Sequence, residues 1–194
     1  MAMNRFPLEQ YATLELNQVA FPKTGMVVSQ VPLGAKFTTD SSVTGAYGVC
    51  ENGMWVVADK AKGVIDAPAA ATDKPIGIVY TAEKEYDRSH YGLKTFGRKV
   101  AGDYPRVGIL GVGDTVTTNC LQYDTTVFAD DAALDTYLAG DLTSAPAYVT
   151  IEAGSPVPKI VKAKPGSGIY GKIVKYYTVP NGEKAVKYQI VSLG

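Results

Sequence analysis

The chain has 194 residues, with 19 Lys and Arg balancing 19 Asp and Glu, one histidine and two cysteines. A single domain of this length buries roughly 70% of the surface its unfolded chain exposes, so it folds without a metal or disulfide staple. Balanced charge gives no net field toward nucleic acid or an anionic membrane, and it gives little self-repulsion, which favours life inside an assembly.

The 20 Gly, 11 Pro and 13 Tyr, with many Val and Thr, are the composition of an all-β protein. Cys50 and Cys120 are expected as free, small apolar residues rather than a disulfide. The N-terminus lacks a basic segment followed by an apolar run, and no stretch reaches the roughly 20 apolar residues of a membrane span. The expectation is a soluble chain made in the cytoplasm.

In chain order, residues 1–24 carry Phe6, Pro7, Leu8, Tyr11, Leu14, Leu16, Val19 and Phe21 without a sustained period. They read as an edge strand or as an extended arm that orders against a neighbour. From Gly25, the runs GMVVSQV, AKFTTD, AYGVC and MWVVAD read as short strands. Asn52-Gly53 predicts a type I′ hairpin folding AYGVC back on MWVVA.

KAKGVIDAPAAATDKP reads as a turn, a short strand and a small-residue loop before the run PIGIVYTA. EKEYDRSH is expected as a hairpin tip leading into YGLKTFGRKV, and PRVGILGVGDTVTTN as strand, turn at Gly113-Asp114, and strand. FADDAALDTYLAGD breaks the rhythm: Asp130 or Asp131 suits an N-cap, Ala133, Leu134, Tyr137 and Leu138 share one helical face, and Gly140 is a stop. Strands resume at AYVTIEAG, VPKIVKAK, IYGKIVKYYTV and KAVKYQIVSL.

The expected fold is mainly β: an antiparallel barrel or sandwich of short strands and hairpins, with at most one short helix at about 130–139. Residues 1–24 form the N-terminal arm and 25–128 a barrel-like core. Residues 129–194 form the helix and C-terminal hairpins, packed on that core or standing as a small second subdomain.

GSGIYGKI, residues 166–173, nearly matches a phosphate-binding loop, but Ile173 stands where a magnesium-binding hydroxyl belongs. The following IVKYYTV is a strand where a helix N-terminus would have to begin, so no nucleotide is expected. The glycines read instead as the turn returning VPKIVKAK along IYGKIVKYYTV. His90 lacks a serine delivered by a sharp turn, and Asp130, Asp131 and Asp135 lack calcium-loop spacing.

GILGVGDTV has the wrong glycine order for a dinucleotide. Lys159, Lys162, Lys164, Lys172 and Lys175 are expected on one solvated face of alternating strands. No catalytic, cofactor or metal residue is predicted, and the chain is read as a non-enzyme.

The stretch MWVVADKAKGVIDAPAAATDKPIGIVYTA resembles the head-decoration (cement) proteins of tailed bacteriophages. The residues carrying the likeness are Gly53, Val56, Val57 and Asp59, then Ala69 to Ala71, then Asp73, Pro75, Ile76, Gly77 and Ile78. The resemblance covers about thirty residues, and the part beyond Ala129 has no counterpart in it. It implies a virion protein that binds the outer surface of the capsid through the major capsid protein, as a homotrimer, and stabilises the head lattice.

On that reading Arg5, Phe6, Pro7, Leu8, Tyr11, Leu14, Leu16 and Phe21 contact the capsid or a neighbouring subunit. No nucleic acid, membrane or nucleotide partner is expected. The alternative is a carbohydrate- or receptor-binding β-module of a head fibre or tail, using Trp55 or the tyrosines.

Overall fold

A computed structural model describes residues 2–8, 12, 14, 27–58, 61–81, 99–179 and 182–194. The predicted hairpin tip EKEYDRSH, most of the strand after it, and His90 lie outside the described residues. Among the described residues the fold is mainly β, with two open sheets forming a sandwich rather than a closed barrel.

The smaller sheet holds β2 (Val27–Val28), β3 (Trp55–Val57), β4 (Ile76–Val79) and β5 (Val107–Ile109), in the order β2-β5-β4-β3. The larger sheet holds β1 (Met3–Arg5), β6 (Thr115–Thr118), β7 (Gln122–Asp124), β8 (Tyr148–Thr150), β9 (Lys159–Val161), β10 (Ile169–Thr178) and β11 (Lys184–Leu193). Its order is β1-β7-β9-β8-β10-β11-β6, antiparallel throughout except for β7 beside β9. No described helix is long and apolar enough to cross a membrane.

The short apolar runs WVV and IGIV do not alternate because the smaller sheet is covered on both faces. Trp55, Val57, Ile76 and Ile78 point into one core, with Tyr123, Val149, Ile173 and Tyr188 of the larger sheet. Val56, Val79, Val107 and Ile109 point into a second core, closed by Leu33, Phe37, Ile65 and both cysteines. The segment 29–50 supplies that cover.

AKFTTD and AYGVC therefore form no strands. Phe37 and Leu33 are drawn into the second core, and local bonds such as Ser42 N–H to Asp40 Oδ1 at 2.9 Å hold the backbone in turns.

The Asn52-Gly53 turn does not make the predicted hairpin. Only Gly53 has positive φ, +93°, whereas a type I′ turn needs it at both central residues. Cys50 instead bridges to Lys99, while β3 pairs with β4 in the register Trp55↔Ile78 and Val57↔Ile76. At Gly113-Asp114 the chain turns as predicted, but it passes from one sheet to the other, β5 lying in the smaller and β6 in the larger.

Nor does GSGIYGKI join neighbours: β8 lies between β9 and β10. The strand reading of Ile169–Thr178 holds, with Lys172 exposed between buried Gly171 and Ile173.

The helix α1 (Asp131–Ala139) forms where the sequence places it. Asp130 caps it by accepting from Ala133 N–H at 2.8 Å, Gly140 ends it, and Leu134 and Leu138 bury against the larger sheet.

A buried polar contact links the two sheets through their shared core. The Trp55 indole N–H donates to the Tyr188 hydroxyl at 2.9 Å, with the rings edge to face at 5.8 Å and both side chains fully buried. Trp55→Phe leaves that hydroxyl without its donor and should cost about 1–3 kcal/mol in urea unfolding. The double variant Trp55→Phe, Tyr188→Phe should recover part of the loss, since both polar partners are then gone; a strictly additive double-mutant cycle would count against the bond.

Candidate interaction surface

The described residues of the phage-protein resemblance form one structural unit, Asp59 lying outside them. β3 and β4 pair across a long loop, and the Asp73 carboxylate holds that loop by accepting from Ala69 N–H at 2.7 Å and Ala70 N–H at 3.0 Å. The loop is docked on the larger sheet, because the Ala71 carbonyl accepts from Ile169 N–H at 2.8 Å and the Pro68 carbonyl from Gly154 N–H at 2.8 Å. Gly77 is required by close approach: a Cβ there would stand 2.4 Å from Val107 Cγ1 and 3.0 Å from the Gly108 carbonyl oxygen.

Beside this unit lies an open groove of about 450 Å³. Lys36, Lys62 and Lys74 meet Tyr47, Asp66 and Asp73 along it, and the Lys36 ammonium rests over the Tyr47 ring at 5.6 Å. Burial, then the Asp66 charge, raises the Tyr47 phenol above its ordinary range, so at neutral pH it is a neutral donor. The groove thus offers ammonium and carboxylate groups for ion pairing and a neutral phenol for hydrogen bonding. No group of His, Cys, Asp and Glu able to hold a metal occurs among the described residues.

The N-terminal segment is built into its own fold. β1 pairs with β7, Phe6 N–H donates to the Leu121 carbonyl at 2.8 Å, and Leu14 bridges to Thr118 of β6. β6 and β7 are consecutive in the chain yet at opposite ends of the sheet order, and the described part of the N-terminal segment touches both, through β1 on β7 and Leu14 on β6.

Of the predicted contact residues, Phe6 is 2% exposed and sits edge-on to Tyr176 at 6.3 Å, and Leu14 is 6% exposed. Both belong to this chain's core. Arg5 is exposed and pairs with buried Glu51 at 3.1 Å. Leu8 is half-buried against the second core, and Pro7 is exposed beside a groove of about 300 Å³ lined by Asp131, Asp135, Tyr176 and Lys184. Tyr11, Leu16 and Phe21 lie outside the described residues.

Other candidates resolve into structural roles. Asp130 is the helix cap, Asp131 accepts from the Tyr123 hydroxyl and Asp135 from the Tyr176 hydroxyl, so the three acids dock the helix rather than form a calcium loop. Trp55 is 1% exposed and cannot line a sugar groove. The cysteines are free and fully buried; burial, more than any neighbouring charge, raises both thiols, Cys120 to about 12. Comparison with protein-family models, curated proteins and solved structures finds no match.

The glycine of the Asn52-Gly53 turn should be irreplaceable. A Cβ on Gly53 would stand 2.5 Å from Cys120 Cβ and 2.7 Å from Thr118 Oγ1, whereas one on Gly63, at φ +68°, meets nothing within 4 Å. Gly63→Ala should cost only the backbone penalty of about 1–2 kcal/mol. Gly53→Ala should cost clearly more by thermal or urea unfolding, and equal costs would mean that Cys120 moves aside freely.

Thiols whose pKa is raised in the folded state contribute stability that is full below the unfolded value, near 9. It is lost as pH climbs toward about 12. Native protein at pH 8 should therefore leave both thiols unreacted with a disulfide dye that labels them at once in urea. Rapid native labelling would show that the second core opens.

Proposed function

We propose that the chain is a non-catalytic virion structural protein that binds the outer surface of a tailed-phage capsid through the major capsid protein and stabilises the head lattice. What carries the reading is that residues scattered through the resemblance act together: Val56 and Val57 form β3, Ile76 to Ile78 form β4, Asp73 ties the alanine loop, and Gly77 lets β5 approach.

Cementing needs rigid β structure and broad contact area, which a sandwich with one sheet buried on both faces supplies. Self-association as a trimer belongs to this reading, as does a location on the virion after synthesis in the host cytoplasm.

The attachment residues are those of the N-terminal segment whose side chains are not committed to the core. Removing 1–24 whole would strip Phe6 and Leu14 from the core and β1 from the sheet, so truncation would test folding rather than attachment. Leu16→Ser with Phe21→Ser keeps Phe6, Leu14 and β1 in place.

Co-expressed with the major capsid protein of its proposed phage, the chain should appear as outer density on assembled capsids in electron microscopy. The double serine variant should leave capsids bare, with its melting temperature separating a lost contact from a lost fold. Bare capsids at saturating wild-type protein would remove the proposal, and full decoration by the variant would remove the N-terminal contact.

A further inference from the structure

Charge is segregated within this neutral chain. Residues 107–143 contain Asp114, Asp124, Asp130, Asp131, Asp135 and Asp141 and no Lys or Arg, whereas every charged residue of 144–194 is a lysine except Glu152 and Glu183. The fold turns this into two unlike surfaces. Ile173 and Tyr188 point inward from β10 and β11, so Lys172, Lys175 and Lys187 point outward.

Lys172 faces Gln189 and Tyr148 across the strands, and Lys175 stands directly opposite Lys187, which faces Thr117 on its other side. Like charges directly opposed weaken a sheet, and among the described residues no carboxylate pairs with them. Glu152 is held by Lys159, and Glu183 accepts from Asn119 Nδ2 at 2.9 Å. Val174, 49% exposed, and Val191, 42% exposed, add apolar area to the same hairpin.

The helix lies on the other side of this sheet. Leu134 and Leu138 share the core with Ile173 and Tyr188, which leaves Asp130, Asp131 and Asp135 exposed on the side away from Lys172, Lys175 and Lys187. Lys184, at the hairpin end, lines the groove beside Asp131 and Asp135. These acids do not face Lys172, Lys175 or Lys187 of their own chain. They can neutralise the lysine face of another.

We propose that the outer face of β10 and β11 docks a second copy of this chain, which presents the aspartate edge of α1. The contact is head-to-tail, between unlike surfaces, and such contacts close into rings when the rotation between copies allows. A polyanion that stacks its bases is the less suitable occupant, because the tyrosine faces are taken. Lys164 lies over Tyr170 at 6.0 Å, Lys175 over Tyr177 at 5.0 Å, and Tyr148 packs edge-on to Tyr170. This assigns a surface to the self-association of the proposed function but rests on charge placement alone, independent of the capsid.

The test is sedimentation velocity of the purified full chain without capsids, at about 25 mM and about 500 mM salt, which brackets strong and weak screening. Association should appear at low salt and weaken at least about tenfold at high salt. The triple variant Lys172→Glu, Lys175→Glu, Lys187→Glu should be monomeric at low salt, as should Asp131→Lys with Asp135→Lys. Their equimolar mixture should associate again, because each retains the surface the other has lost.

If the aspartate pair proves necessary for folding, Asp131→Asn with Asp135→Asn keeps acceptors for the two tyrosines and should weaken association without restoring it on mixing. A wild type that is monomeric at low salt, an oligomer indifferent to the lysine variant, or a charge-reversed mixture that stays monomeric would overturn the proposal. So would a lysine variant that loses binding to a single-stranded oligonucleotide while its self-association is unchanged. Failure here leaves the capsid reading standing, and undecorated capsids with intact self-association remove the capsid reading alone.

Discussion

The hydrogen bond from Trp55 to Tyr188 is the constraint on which the rest of the sandwich depends. It joins edge strand β3 of the smaller sheet to β11 of the larger one, and both groups lie where water cannot substitute for either partner. A buried indole N–H or phenol with no partner costs more than the bond itself is worth, so the pair fixes how the two sheets are set against each other. Burial raises the Tyr188 phenol far above its ordinary range, which keeps it a neutral acceptor under all physiological conditions.

That registration leaves the outer face of the smaller sheet needing a cover, and the chain supplies it from irregular segments. Leu33, Phe37 and Ile65 reach over β3, β4 and β5, and Gly53 brings its turn so close to Cys120 that no larger residue fits. The same economy applies at the ends of the larger sheet, where the N-terminal segment pairs with β7 and touches β6. An apolar stretch that looks idle in sequence thus acts as the piece that covers an open edge.

Function, on the reading proposed, is a matter of surfaces. The mixed-charge groove beside the alanine loop, the exposed lysines of β10 and β11, and the aspartate edge of α1 are all supported by rigid elements. A neutral chain with Lys172, Lys175 and Lys187 on one side of a sheet and the helix aspartates on the other has little to keep copies apart and a geometric reason to bring unlike faces together. The tolerance of Lys175 opposite Lys187 is the local departure from sheet rules that points to a role outside folding.

The sequence by itself determined the elements whose signals are local. The β composition, the helix with its Asp130 cap and Gly140 stop, the strand following GSGIYGKI, and the free cysteines all follow from propensity, capping and burial tendencies of neighbouring residues. Tertiary structure decided which strands meet. Asn52-Gly53 made no hairpin, β8 entered between β9 and β10, and the turn at Gly113-Asp114 linked two sheets, because pairing is set by which faces can be buried together rather than by adjacency in the chain.

It also decided that Phe6 and Leu14 are core and that Lys175 faces Lys187. A residue's side of a sheet, and its partner across it, exist only once register is fixed.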